Sequence, residues 1–380
     1  MSITDYREKK DIIDKQFLDL FEQRMQVSKE IAAFKKEKNL SVLDLKRERE
    51  KMNEIIERSP EELKGYSAIL YSLIFEISRS YQNRLIGVRT DIMDIMKKAI
   101  DNTPKLFPEI APVACQGIEG ANSQIACDKL FRNANIMYFA NFEAVFSAIE
   151  KGLCKYGVIP VENSTAGSVN KVYDLMLRHN FKIVRSIRLK IEHNLLVNPG
   201  TKLDQIKEIY SHEQAIAQCS EFLSTLNGVK IIPCENTAVA AKSVAESGKN
   251  TVAALASSMC MKYYGLECLQ ESVQNTDNNY TRFICISKDL EIYPGADRTS
   301  IMATLPHEPG SLYKLLSRLY ALGINLNKLE SRPIPDRDFE FMFYFDLDTP
   351  VYSPKFMQFM GELESVYETF TYLGSYSELI

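Results

Sequence analysis

YREKKDIIDKQFLDLFEQRMQVSKEIAAFKKEKNLSVLDLKRERE (residues 6–50) decides how the chain begins. No Pro or Gly occurs in the first 59 residues, and 27 of the first 60 are Asp, Glu, Lys or Arg. At about 100° per residue, Ile13, Phe17, Leu20, Val27 and Ile31 form one stripe of a long helix, expected from Asp5 to Lys38. Arg24 falls near the centre of that stripe and Lys35 on its flank. A guanidinium on an apolar face is costly unless an anion meets it. The helix is therefore expected to aim cations at something negative.

Working outward, the helix breaks at Asn39-Leu40-Ser41, and a second is expected from Leu43 to the stop at Ser59-Pro60. A third follows Pro60, with Tyr66, Leu70, Leu73, Ile74, Ile77 and Tyr81 on one stripe and Ser78 and Gln82 beside it at i, i+4. Residues 1–88 thus read as an all-α, three-helix domain. So long a first helix, followed by so small a core, cannot bury its stripe alone, and pairing with a second copy is expected. Arg7, Arg24, Lys35 and Arg47 spread four cations over two helices. Asp44 and Glu48 add carboxylates on the second, where Glu48 shares a face with Leu45, Met52 and Ile55.

A length of 380 suggests two or three domains, and 45% hydrophobic residues is enough for real cores. Residues 89–111 read as a linker containing the amphipathic DIMDIMKKAI. Residues 112–288 alternate β-branched runs (YGVIPVE, FKIVRSIRL, IKEIYS, KIIPC, NTVAAL, RFICIS) with helical patterns, which is α/β. Residues 289–298 form a second linker. Residues 299–380 read strand, helix, strand, strand, helix, strand, the order of an α+β ferredoxin-like βαββαβ unit. A net charge of −4 argues against a general nucleic-acid footprint. MSITDYREKK lacks the apolar core of a signal peptide, and no apolar run approaches the ~20 residues of a membrane span. Eight cysteines without a CxxC suit free thiols in a reducing cytoplasm. The four histidines are far apart, and no Walker or GxGxxG loop is present, so neither a metal nor a cofactor is expected.

Three segments of the α/β region carry polar residues where ligands bind. GIEGANSQIA (117–126) sets two glycines and Ser123 ahead of a helix, an arrangement that cradles anions. IPVENSTAGSV (159–169) leaves a strand with Glu162, Asn163, Ser164, Thr165 and Ser168 at its exit. NNYTRFICIS (278–287) places Thr281 and Arg282 at the start of a strand.

The run over 6–50, with the third helix, resembles the all-helical class of chorismate mutase, an intertwined dimer. The resemblance implies that Arg7, Arg24 and Arg47 bind the two carboxylates of chorismate, with Arg7 reaching into the partner's site. It implies that Lys35 and Gln82 hydrogen-bond the ether oxygen, and that Asp44, Glu48 and Ser78 meet the ring hydroxyl and shape the site. The residue types fit the chemistry. A unimolecular rearrangement to prephenate needs the reactive conformer held and partial negative charge on the breaking oxygen stabilised.

The VENS and TRF motifs, with the glycine motif, resemble prephenate dehydratase over residues 112–288. That implies two α/β lobes around a cleft, akin to solute-binding proteins. Thr281 would be the key catalytic residue near the leaving hydroxyl, and Glu162, Asn163, Ser164, Ser211, Gln218, Glu235 and Arg282 would line the cleft. Ile118 and Asn122 stand where that family has Pro and an aromatic, and Glu213 where Pro is common. Loss of CO₂ and hydroxide together yields an aromatic product, so the site has only to help hydroxide leave. Either Glu162 or Glu235 could supply the proton.

PGSLYKLL (309–316) and LESRPI (329–334) resemble the ACT domain, with Ser311 where Ala is usual. This implies a phenylalanine pocket between two subunits framed by Gly310, Ser311, Leu312, Glu330, Ser331 and Arg332. The order mutase, dehydratase, ACT resembles the bifunctional enzymes of phenylalanine synthesis, with chorismate and prephenate as substrates, L-phenylalanine as inhibitor, and a homodimer or tetramer as the assembly. The alternative is a non-enzymatic effector sensor built on a helical dimeriser, which no helix-turn-helix or basic stripe supports.

Overall fold

The computed structural model describes residues 2–86, 91–334, 340–366 and 369–380. Contacts divide the chain into two units. One comprises Met1–Ile95, Leu305–Asn325 and Tyr352–Phe370, the other Met96–Thr304, Leu326–Val351 and Thr371–Ile380. Among the described residues, no helix is long and apolar enough to cross a membrane.

The chain opens with α1 (Ile3–Glu37), α2 (Leu45–Arg58) and α3 (Lys64–Ile86). Ser2 and Asp5 close a capping box at the start of α1. Asn39, at φ 52°, makes the break, a left-handed conformation that Asn tolerates better than most residues. The third helix was expected to reach residue 88, but 87–90 lie outside the described residues. The face that α1 turns to α3 carries Met25 and the buried Ser28 and Ala32. The expected apolar stripe lies to one side of it. Every described residue from Ser2 to Leu20 is exposed, and Phe17, Leu20, Val27 and Ile31 are 41–63% exposed.

The described residues of both stretches read as linkers are structured. The first holds α4 (Asp91–Asn102), with Met96 and Ala99 buried, and strand β1 already begins within it at Ile110. In the second, Ile292 and Tyr293 are buried, and the Ile292 amide donates to Thr103 Oγ1 at 3.0 Å. The amphipathic spacing was legible; the packing that uses it is tertiary.

The α/β region runs β1 (Ile110–Gln116), α5 (Asn122–Leu130), β2 (Asn133–Phe139), α6 (Phe142–Glu150), β3 (Tyr156–Asn163), β4 (Gly167–Ser168), α7 (Asn170–Met176), β5 (Lys182–Lys190) and β6 (Asn194–Val197). It continues through β7 (Glu208–Ser211), α8 (Glu213–Gln218), α9 (Ser220–Ser224), β8 (Lys230–Pro233), α10 (Thr237–Ser247), β9 (Val252–Ala256), α11 (Met259–Tyr264), β10 (Glu267–Gln270) and β11 (Tyr280–Ser287). The C-terminal part is β12 (Arg298–Thr304), α12 (Ser311–Leu322), β13 (Asn325–Pro333), β14 (Phe341–Asp348), α13 (Pro354–Val366), β15 (Thr369–Tyr376) and β16 (Glu378–Leu379).

Three sheets result. A seven-stranded sheet has the order β16-β5-β11-β3-β1-β2, with β4 paired to β3, and a five-stranded one β10-β6-β9-β7-β8. The four-stranded sheet, β13-β14-β12-β15, has the β-α-β-β-α-β element order expected from the sequence. Its strands lie almost wholly in the second unit, while α12 and α13 group with the N-terminal helices. The chain crosses between the two larger sheets at residues 191–193 and 271–279.

Alternation along β11 decides what each face meets. Phe283 and Cys285 join a core with Val113, Cys127 and Phe131. Ile284 and Ile286 join another, which the four-stranded sheet completes with Met302, Met342 and Tyr344. The Tyr173 and Tyr344 rings meet edge-on there, centroids 5.1 Å apart.

Candidate functional site

The helical unit gathers several of the expected residues where α1, α2 and α3 meet. Arg24 donates through Nη1 to Ser78 Oγ, and its Cζ lies 5.9 Å from the Phe75 ring centroid. Burial lowers the pKa of its guanidinium, opposed by Tyr71 and Glu48 nearby. Arg24 thus lies on the side of the exposed apolar stripe that turns toward the face packed on α3. Periodicity places it about 25° from the centre of the stripe and about 75° from the centre of the face packed on α3. Ser78 and Gln82 are buried, and Gln82 Oε1 has no hydrogen-bond partner among the described residues.

The other expected residues stand as follows. Lys35 Nζ donates to the Val42 carbonyl at 2.6 Å. Asp44 caps α2, its Oδ1 accepting from the Arg47 amide at 3.0 Å. Arg47 is exposed and lies 3.6 Å from Glu50. Glu48 is held by Arg79, a residue the sequence reading missed. Arg7 is exposed on a stretch of α1 where every described side chain is exposed.

In the second unit a cavity of about 420 Å³ opens between the two larger sheets. Asn163, Gln218, Glu235 and Thr281 all line it. Asn163 Nδ2 donates to Thr281 Oγ1 at 2.9 Å and to Asn279 Oδ1 at 2.9 Å. Its Oδ1 accepts from the amides of Thr165 and Ala166 and from Thr165 Oγ1. With its oxygen already accepting, the Thr281 hydroxyl keeps its own proton to donate. Gln218 Nε2 donates to Thr165 Oγ1 at 2.5 Å, while its Oε1 accepts from Asn279 Nδ2 and faces His193 Nε2 at 2.9 Å. That acceptor requires His193 to carry its proton on Nε2.

Among the described residues lining the cavity there is no Lys or Arg. Positive potential comes from backbone. The N-termini of α5 and α10 open onto it through Asn122, Ser123, Asn236 and Thr237, and the short α8 adds His212 and Gln214. The glycine motif does deliver a helix N-terminus. Asn122 lines the cavity while Ile118 packs partly buried against the core of the five-stranded sheet.

Four expected cleft residues are placed elsewhere. Glu162 and Arg282 are neighbours across β3 and β11, one position from Asn163 and Thr281, and the pleat turns them to the opposite face. There Lys328 Nζ bridges Glu162 Oε1 and Ser168 Oγ, each at 2.7 Å. Arg282 pairs with Asp346 and Glu378. Ser211 is buried and donates to the Leu255 carbonyl at 2.8 Å. Ser164 is spent on the turn, donating to Asn278 O and accepting from the Tyr280 amide. Reasoning from sequence placed Thr165 at the strand exit without giving it a role, and missed His193, His212 and Asn279. Asn279 sits two residues before Thr281, and that spacing along an extended segment was the available signal.

The residues expected to frame an effector pocket fall into two groups. Gly310, at φ 87°, caps α12, Ser311 is buried and Leu312 half-buried. On β13, Glu330 accepts from Ser168 Oγ at 2.5 Å, Ser331 is exposed, and Arg332 makes a two-pronged pair with Asp174 at 2.8 and 3.0 Å. All eight cysteines are free, and no group of His, Cys, Asp and Glu among the described residues could hold a metal.

Comparison with known proteins accounts for both regions. The chorismate mutase type II family model matches residues 6–83, and the prephenate dehydratase family model matches residues 113–291. A bifunctional chorismate mutase/prephenate dehydratase of Buchnera aphidicola is 31% identical over 383 residues, covering 99% of this chain and 96% of that one. Arogenate dehydratase/prephenate dehydratase 1 of Arabidopsis thaliana is 37% identical, covering 70% of this chain and 71% of that one. The solved structure of an Arthrobacter aurescens prephenate dehydratase in complex with L-Phe superposes with a TM-score of 0.65 at 25% identity, covering 70% of this chain and 90% of that chain. With a relative matched along nearly the whole of both chains, this chain belongs to the family of bifunctional chorismate mutase/prephenate dehydratases, an isomerase and a lyase in one polypeptide.

Proposed function

We propose that the two reactions run in two separate sites, on the route from chorismate to phenylalanine. In the helical unit, Arg24 and Arg47, with Arg7 from a second copy, hold the two carboxylates of chorismate. Lys35 and Gln82 face the ether oxygen, while Asp44, Glu48 and Ser78 set the ring hydroxyl. The rearrangement requires no proton transfer. Its barrier falls because the folded dicarboxylate is held ready and the developing oxyanion meets fixed donors, each worth about 3–4 kcal/mol. The position of Arg24 supports this reading, since it presents a partly desolvated cation where a partner helix would close over it.

The dehydratase reaction is assigned to the cavity between the larger sheets. Prephenate carries two carboxylates, and the helix N-termini of α5 and α10 supply the complementary potential. The C–C bonding pair released with CO₂ enters the ring and makes it aromatic, the C4–O pair departs with the leaving oxygen, and that oxygen takes a hydrogen bond from Thr281 and a proton to leave as water. Of the two candidate acids, Glu235 lines the cavity and Glu162 does not, so Glu235 is assigned as proton source. The observation that carries the reading is the Asn163–Thr281 hydrogen bond, which leaves the Thr281 proton free to donate.

The C-terminal βαββαβ unit is assigned as an ACT domain that binds L-phenylalanine and inhibits the dehydratase, in a cytoplasmic homodimer or larger homo-oligomer. The free cysteines and the exposed stripe of α1 support the compartment and the pairing. The test feeds chorismate to the purified chain, with and without phenylalanine, and follows chorismate, prephenate and phenylpyruvate together. Phenylpyruvate that rises after prephenate and is suppressed by phenylalanine supports the whole assignment. Binding without turnover would leave a sensor. A parallel arm with arogenate settles which amino or keto substrate is preferred.

A further inference from the structure

Within the helical unit a chain of alternating charges runs from the chorismate region to the C-terminal helix α12. Arg79 donates through Nη1 to both carboxylate oxygens of Glu48 and through Nη2 to Glu76 Oε1. Glu76 Oε2 accepts in turn from Nε, at 3.0 Å, and Nη2 of Arg318. Glu76 and Arg318, 242 residues apart, are both more than nine-tenths buried. The order Glu48, Arg79, Glu76, Arg318 alternates in sign, so each interior charge has a partner on either side. We infer that Arg79 is a positioning residue for Glu48, and that Arg318 sets Arg79 from α12, so that the C-terminal segment tunes chorismate binding. This rests on the assignment of Glu48 to the chorismate site.

Glu48 and Glu76 compete for Arg79. Arg79 serves two carboxylates, and how it divides between them depends on how fully Glu76 is satisfied elsewhere. Arg318 supplies a two-pronged partner to Glu76 Oε2. Without it, Glu76 stays buried beside a single cation, a costly state. Arg79 is then drawn toward Glu76, and Glu48 loses its brace. The hydrogen bonds of Glu48 run to Arg79, so the influence passes through Arg79. The same helix begins with Gly310, Ser311 and Leu312, so a ligand that moves its N-terminus acts on the far end of this chain.

The test is a double-mutant cycle on the full chain, with chorismate kinetics as the readout and dehydratase activity, assayed from added prephenate, as the folding control. Arg318→Met is expected to raise the KM for chorismate about fivefold with kcat nearly unchanged, because Glu48 contributes binding common to ground and transition states. Arg318→Lys should recover part of the loss. In a Glu48→Gln background the same Arg318→Met change should add nothing, since the residue it acts through is gone. Full additivity in that background, or an unchanged KM when Glu48→Gln alone raises it, overturns the inference. An unchanged KM in Glu48→Gln itself would instead overturn the placement of Glu48 at the site. Should Arg318→Met fail to fold, Arg79→Lys, which cannot hold both carboxylates, takes its place in the same cycle with the same expected outcomes.

Discussion

Asn163 Nδ2 stands 2.9 Å from Thr281 Oγ1, and this contact fixes the direction in which the threonine can donate. Thr281→Val keeps the shape and removes the donor. Dehydratase kcat should fall about 10²–10³-fold, the usual cost of losing one donor to a developing oxyanion. Thr281→Ser should retain much of the rate, and chorismate consumption should be untouched in both. A Thr281→Val chain that still forms phenylpyruvate at the parental rate would remove Thr281 from the chemistry.

Arg24 offers the corresponding test of the helical site. Arg24→Met preserves the stem that packs near Phe75 and deletes the charge. The expected loss in kcat/KM for chorismate is about 10²-fold or more, equivalent to roughly 3 kcal/mol. Dehydratase activity from added prephenate should stay within about twofold, because the two proposed sites share no residue. Equal losses in both assays would point to a folding defect.

His193 makes stability depend on pH. Burial lowers its pKa, while the hydrogen bond to Gln218 pulls the other way. A group whose folded pKa lies below its unfolded value contributes stability that is present above the unfolded value, about 6.5 for His. That contribution is lost as pH falls through the folded value. Thermal melts from pH 7.5 to 5 should therefore show Tm falling more steeply in the parent than in His193→Gln, whose amide can still donate to Gln218. Parallel slopes would rule the effect out.

The exposed stripe on α1 predicts an assembly that can be undone. Leu20 and Val27 are 63% and 52% exposed in the single chain. If they bury against a second copy, each contributes about 1.5–3 kcal/mol, twice over in a symmetric pair. Leu20→Asp/Val27→Asp should shift sedimentation toward a smaller species and abolish mutase turnover, while prephenate dehydration survives. A double variant that keeps its size and its mutase activity refutes the pairing.

The features legible in the sequence are those set by local period. The stripes of α1 and α3, the break at Asn39 and the element order of residues 299–380 follow from residues a few positions apart. The face of a strand is harder. Thr281 and Arg282 sit in one motif, and nothing in TRF says which of them looks into the cavity. That depends on which sheet covers each side, and on an irregularity in the β3–β11 register between Arg282 and Phe283. Long-range partners were out of reach altogether. Arg79 on its own helix looks like a solvated cation, and only Glu48 on α2, with Arg318 acting through Glu76, makes it a link in a chain. His193 read as isolated because the residues it meets come from α8 and from the crossing at 271–279.

The two-faced strand bears on how this enzyme could change by mutation. Thr281 serves the cavity and Arg282 the C-terminal sheet, and the same division separates Asn163 from Glu162. Selection on a toxic analogue of phenylalanine would therefore sort hits by parity. On the proposed role of the C-terminal unit in feedback, substitutions that relieve inhibition by phenylalanine should collect at Glu162, Arg282, Lys328 and Asp346. Those that leave a cell dependent on supplied phenylalanine should collect at Asn163 and Thr281. A shift of one residue along the backbone would separate an overproducer from an auxotroph.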